Sequence, residues 1–205
     1  MQPCLFSAGT PDFDPRFTGI QHTDLTAGAW IDHRPGWVSG HQALFDHLVA
    51  TTAWRHGRRR MYDRFVAVPR LTARLPADGP GHPIIEALSS ALSDRYRTEL
   101  RSVALAYYRT GHDSVAWHGD RLENRRDSVI ALVAVGEPRV FGMRPRGGGR
   151  SLRFRLGWGD LLVMGGTCQE TWEHCLPKAV RGGARISIQF RQRGAVQSSQ
   201  TRTDK

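Results

Sequence analysis

The stretch Ser128-Val129-Ile130-Ala131-Leu132-Val133-Ala134-Val135, followed by Gly136-Glu137-Pro138 and then Arg139-Val140-Phe141-Gly142-Met143-Arg144, decides the fold. Each apolar run is shorter than an ordinary helix and is bounded by turn residues, so the pair reads as strand, turn, strand. The same texture extends in both directions. Short runs occupy 103–108, 114–117, 151–156, 160–164, 171–174 and 185–191. Between them stand Thr110-Gly111, Gly147-Gly148-Gly149, Gly157-Trp158-Gly159, Gly165-Gly166 and Gly182-Gly183. Eight short strands at this spacing predict a double-sheet β-fold, most economically a jelly roll.

Upstream the pattern is different. The first 40 residues are punctuated by Gly and Pro and read as loop with short strands, including 28–32. Ser39 is placed to cap a helix whose buried positions are Leu44, Phe45, Leu48 and Val49. A strand is expected at 66–70, closed by Pro69. A second helix is expected over 82–100, with Pro83 in its first turn and Ile84, Ile85, Leu88, Leu92 and Tyr96 on one stripe. The expected class is mainly β with flanking helices, α+β. One domain is expected over 1–194, its core at 101–194, with a disordered tail at 195–205.

Composition narrows the function. With 205 residues, 40% hydrophobic and 23% charged, the chain is neither fibrous nor disordered in the main. No apolar run is long enough to span a membrane, and the first ten residues do not read as a secretory signal. Three cysteines, Cys4, Cys168 and Cys175, argue against a disulfide scaffold and for a reducing, cytoplasmic compartment; a monomer is expected. Cys168 and Cys175 are expected to be small buried residues. Lys and Arg number 29 against 19 Asp and Glu, for a net charge of +10, almost all of it arginine. A surface this basic points to a polyanion, phosphate backbone first.

Three features of the β half carry chemistry. His118-Gly119-Asp120 ends a short strand, and residues two apart on a strand share a face. His174 ends another. Two histidines and a carboxylate make the facial triad of non-haem Fe(II) oxygenases, which leaves coordination positions open. Arg185 and Arg191 lie an even number of residues apart on Arg-Ile-Ser-Ile-Gln-Phe-Arg, so both guanidiniums share a face and each suits a carboxylate. A plain metal-bearing cupin-like binding module would have no need of that pair. Trp117 alternates away from the metal face. Arg58-Arg59-Arg60 reads as phosphate-tracking or as a solvated helix end. Arg144, Arg146 and Arg150 around the Gly-rich turn suit a phosphate contact.

In order and spacing these pieces resemble the AlkB family of Fe(II)- and 2-oxoglutarate-dependent dioxygenases. The matching motifs are Tyr108 through Asp120, Gly159-Asp160-Leu161-Leu162-Val163-Met164-Gly165-Gly166, Trp172-Glu173-His174 with Pro177-Lys178, and Arg185 to Arg191. Met61-Tyr62 and Val68-Pro69-Arg70 resemble the family's nucleotide-recognition lid. The resemblance implies a double-stranded β-helix with Fe(II) on His118, Asp120 and His174. It implies 2-oxoglutarate on Tyr108, Arg185, Ser187 and Arg191, with O2 as the other cosubstrate. It also implies oxidative demethylation of N-alkylated bases such as 1-methyladenine and 3-methylcytosine in single-stranded or base-flipped DNA. Arg58, Arg59, Arg60, Tyr62, Arg70, Arg74, Trp117, Leu122 and Glu123 are the expected substrate contacts. Ala106 and Ser187 stand where the family often has Asn. Leu122, with Glu123 next, stands where base-reading members carry a carboxylate, which implies loose base selectivity. An RNA, tRNA or small-molecule hydroxylase on the same scaffold is the alternative within the enzyme class.

Overall fold

The structure is a computed structural model and describes residues 9–61, 64–75, 82–120 and 127–192. In chain order its elements are β1 (Asp12–Phe13), β2 (Gln21–Asp24), β3 (Ala29–Arg34), β4 (Val38–Ser39), α1 (His41–Thr51), β5 (Arg55–Met61), β6 (Arg64–Arg74), α2 (Pro83–Tyr96) and β7 (Ser102–Tyr108). Then come β8 (Val115–His118), β9 (Ile130–Gly136), β10 (Arg139–Pro145), β11 (Leu152–Leu156), β12 (Asp160–Gly166), the short helix α3 (Cys168–Thr171), β13 (Trp172–Leu176) and β14 (Arg185–Arg191). Among the described residues these form an eight-stranded sheet, β2-β3-β12-β9-β14-β7-β6-β5, facing a four-stranded sheet, β11-β10-β13-β8, with β1 and β4 paired apart. This is the jelly-roll architecture expected from the strand spacing.

Period-2 alternation explains the layers. On β9, Ile130, Leu132 and Ala134 pack toward the small sheet with Phe141, Met143, Leu156 and Leu162. Ala131, Val133 and Val135 pack the other way, onto Leu44 and Leu48 of α1 and Leu88 and Leu92 of α2. A strand covered on both faces has to be apolar throughout, and β9 is buried at every position. Helices thus buttress the outer face of the large sheet, and its inner face meets the small sheet.

Three local expectations change. Ser39 lies in β4; the residue before α1 is Gly40, at φ 58, and a Cβ there would sit 2.5 Å from the Gly9 carbonyl oxygen. The second helix stops at Tyr96 instead of 100. Arg97 turns left-handed at φ 51, and the Ser89 hydroxyl then donates to the Leu100 carbonyl to hold the returning chain. Pro69 does not close its strand. β6 continues to Arg74, and the β5–β6 register shifts between His56 and Arg58, across from Pro69. Lacking an N–H, Pro69 needs no ladder partner there, and its carbonyl accepts from Ser114 N. Arg58, Arg59 and Arg60 accordingly lie on a strand and not at a helix end.

Candidate active site

The site forms where the small sheet meets the inner face of β14. β8 and β13 are antiparallel neighbours with His118 directly opposite His174. This register brings the two imidazoles to a centroid separation of 4.3 Å. Asp120 follows on the loop after β8, and the ligand atoms of His118, Asp120 and His174 all lie within 4.8 Å of one another. His118 Nδ1 lies 2.8 Å from the Ala116 carbonyl oxygen, so it carries the proton and Nε2 is left as the ligating nitrogen. Phe141 stacks on His174 at 5.4 Å.

Electrostatics prepare Asp120 and His174 to act as ligands. Burial pushes the Asp120 carboxyl up, but the Arg191 guanidinium and the two imidazoles outweigh it and hold the group down at about 2. Burial, helped by His118 and opposed by Asp120, pulls His174 down to about 3, so that imidazole is neutral at physiological pH. Arg191 donates to Asp120 Oδ2 through Nη2 at 2.7 Å and Nε at 3.2 Å. Asp120 Oδ1 faces His118 Nε2 at 3.9 Å. One carboxylate oxygen is therefore anchored, and the other is turned to the imidazoles.

Arg185 is the second signal. It is 1% exposed, and its Nε and Nη2 are buried with no hydrogen-bond partner. Among the described residues it alone leaves two such side-chain atoms unpaired. Burial draws its pKa down to about 10 against the opposing pull of Tyr108. The guanidinium carbon is 5.8 Å from the Tyr108 ring centroid. Arg185, Ser187, Gln189 and Arg191 alternate with Ile186, Ile188 and Phe190, which enter the helix-facing core. The polar set thus lines the inner face of β14.

The family model described as the 2OG-Fe(II) oxygenase superfamily matches residues 70–191, more than half of the chain. This chain belongs to that superfamily. It is also 29% and 28% identical to alpha-ketoglutarate-dependent dioxygenase alkB homolog 3 of Bos taurus and of Homo sapiens, over 77% of this chain and 64% of each relative. An uncharacterized protein of Acanthamoeba polyphaga mimivirus is 32% identical over 56% of this chain and 61% of its own length. The chain thus spans a little under two thirds of the curated relatives it matches.

The residues present fit the superfamily's iron and 2-oxoglutarate. The donor set is two imidazoles and a carboxylate, a combination suited to Fe(II). The two unpaired nitrogens of Arg185 can receive the two oxygens of a carboxylate. Ser187 is 2% exposed on the same face, across from Ala106 and Ala134.

The oxygenase chain places its other expected residues unevenly. Arg70 is close enough to lower the pKa of His174, whereas Arg74 is exposed at the end of β6. Trp117 is no neighbour of the triad's ligand atoms. It lies on the outer face of the small sheet with the Arg144 guanidinium 4.2 Å above its ring, because it alternates with His118. That lodging is half-buried and not core. Arg144 and Arg146 are engaged too. Arg144 pairs with Glu173 at 3.2 Å, and Arg146 Nε donates to the Glu170 carbonyl at 2.8 Å. Tyr62, Leu122, Glu123 and the tail at 195–205 lie outside the described residues. Cys168 and Cys175 are free and buried as expected, and burial pushes the Cys168 thiol up to about 12.

Sequence reasoning missed Gln169. From α3 its Oε1 accepts from Asp120 N at 3.0 Å, fixing the loop that carries the ligand. Gly119 makes this approach possible, since a Cβ there would meet Arg146 Nη2 at 2.7 Å and the Gln169 carbonyl oxygen at 2.9 Å. A lone Gln in a four-residue helix has no periodic signal. No helix among the described residues is long and apolar enough to cross a membrane.

Proposed function

We propose that this protein is a dioxygenase that demethylates N-alkylated bases in DNA, with Fe(II) held by His118, Asp120 and His174 and 2-oxoglutarate anchored on Arg185. The observation that carries this reading is the His–Asp–His cluster, two of its three members buried, beside the inner face of β14, which also bears a buried guanidinium with two unpaired donors. When bound, the iron supplies O2 activation coupled to breakdown of 2-oxoglutarate into succinate and CO2, and the chain supplies geometry, charge and dryness. Arg185 binds the distal carboxylate bidentately, with Tyr108 and Ser187 beside it. Arg191 and Gln169 orient Asp120 as positioning residues, one through the side chain and one through the backbone. Burial of Asp120 and His174 excludes water from the reacting end.

Nucleic acid as substrate is supported by the net charge of +10 and by the similarity to the alkB homologs. The hairpin β5–β6, with Arg58, Arg59 and Arg60 on one arm and Arg70 on the other, is the proposed nucleotide-recognition lid. The test is mass spectrometry of a panel of methylated oligonucleotides incubated with protein, Fe(II), ascorbate and 2-oxoglutarate. Loss of one methyl per succinate and formaldehyde on 1-methyladenine and 3-methylcytosine strands is expected. Turnover of methylated RNA or of a free small molecule, with none on any DNA strand, would move the protein to the other substrate class.

A further inference from the structure

The outer face of the small sheet carries a second feature, back to back with the triad. Gly142 on β10 pairs with Cys175 on one side and with Arg153 of β11 on the other, which puts the three in one row across the sheet. Cys175 neighbours His174 and Trp117 neighbours His118, so this row faces away from the metal ligands. The tip of the Trp117 ring reaches this row: it and Cys175 Sγ would each be 3.0 Å from a Cβ at Gly142, so the glycine leaves them room. Beside the ring opens a cavity of about 450 Å3.

The walls of this cavity are basic. Arg153 and Arg155 alternate with the inward Leu152, Phe154 and Leu156, so both point outward, about 6.6 Å apart along the strand. Lys178 and Arg181 stand on the facing wall, the loop between β13 and β14. All four are exposed, no carboxylate lines the cavity, and among the described residues none of the four makes an ion pair. Arg139 at the base is different. It is 3% exposed and donates to the carbonyls of Thr110, Gly111, Asp113 and Pro177, so it staples both loops and gives the cavity a fixed rim. Charges on an edge strand also block strand addition, but either sign serves that purpose and no second wall is needed.

We propose that this groove is an accessory docking site for the phosphate backbone of a nucleic-acid strand, on the face of the sheet opposite the triad. A groove of unpaired cations with no carboxylate between them suits sequence-independent contact with a strand's backbone, and guanidinium forks match phosphate oxygens. The proposal rests on the reading that the protein acts on nucleic acid. It assigns part of the affinity to a surface the reacting base never touches.

The test is fluorescence anisotropy with an unmodified single-stranded oligodeoxynucleotide, measured over a series of salt concentrations. The proteins compared are the wild type, R153Q/R155Q and the charge-matched control R16Q/R101Q, whose arginines are exposed elsewhere. Circular dichroism establishes that each variant is folded. In the groove variant the dissociation constant should rise on the order of tenfold. Its log–log salt slope should become shallower by about 1.4, two phosphates at ~0.7 each on a single strand. The control should keep the wild-type slope. Equal behaviour of the groove variant and wild type, or an equal loss in the control, overturns the proposal. Displacement of the oligonucleotide by polyglutamate more effectively than by unlabelled strand also overturns it, and reassigns the groove to an acidic polypeptide. Because the probe carries no methylated base, the result does not depend on demethylation. A chain inert on every methylated oligonucleotide but with the predicted salt behaviour loses the proposed activity and keeps the groove.

Discussion

Arg185 and Arg191 stand on one strand, face the same way and are 1% and 4% exposed, yet they sit in opposite chemical situations. Arg191 is satisfied from within the chain, by Asp120 at 2.7 Å and by the Gln189 side-chain oxygen at 2.7 Å. Arg185 has a tyrosine ring nearby and two nitrogens without partners. A buried cation with its own carboxylate is a piece of architecture. A buried cation without one is a cost that an incoming anion can offset. The comparison separates an arginine that holds Asp120 in place from one left open to the carboxylate of the proposed cosubstrate, although both read alike as a pair of arginines.

The comparison breaks most visibly at Asp120. Asp120→Ala removes a proposed ligand and strands the Arg191 charge, so 2-oxoglutarate turnover should vanish and stability should fall by about 3–5 kcal/mol in urea unfolding. His118→Ala should also abolish succinate formation, but with little loss of stability, since His118 is partly exposed. Succinate production at the wild-type rate in either variant would end the triad assignment.

Arg185 should respond differently. Arg185→Lys keeps the charge and loses the planar fork, so the KM for 2-oxoglutarate should rise roughly 10- to 100-fold, about 1.5–3 kcal/mol for a charged hydrogen bond. Arg185→Met should leave the cosubstrate-free protein as stable as wild type or more so, because it deletes an uncompensated buried charge. A strong drop in its melting temperature without 2-oxoglutarate would show that Arg185 is architectural after all.

Acid titration sharpens the contrast. The Asp120 pKa is depressed from the ordinary ~3.9 to about 2, so the pair contributes stability above pH ~3.9 that is lost as pH falls toward 2. Arg191→Met should flatten this window in acid unfolding curves, while Arg185→Met should retain it. The smallest expected effect is at Tyr108. Tyr108→Phe removes one neutral hydroxyl and should raise the KM for 2-oxoglutarate by a few-fold, about 0.5–1.5 kcal/mol. A change as large as that of Arg185→Lys would make the hydroxyl an equal anchor.

Much of the site was legible because its signals are local. Arg185 and Arg191 share a face by the two-residue period of a strand, and Gly136-Glu137-Pro138 marks a turn without any partner, whereas β8 ends at His118 and Asp120 reaches it from the following loop. The strand starts and ends came out within a residue or two over most of the β half. Misreadings fell where a contact distant in sequence decides. Ser39 has good capping chemistry, but the close approach of Gly9 to Gly40 moved the helix start. Arg144 and Arg146 looked free beside their glycines until β10 was set against β13, which brought Glu173 to them.

The strand pattern, the shared face of Arg185 and Arg191 and the order of ligands and arginines can be read from the residues alone, because they follow from periodicity and spacing within a few residues. Who meets whom comes from three-dimensional packing. The register that sets His174 against His118, the reach of Arg191 to Asp120, the lodging of Gln169 on the ligand loop and the lining of the outer basic groove all join residues from strands far apart in the chain. Alternation along one strand fixes direction without distance. Distance comes from how sheets pair and stack, and that depends on the packing of the whole core.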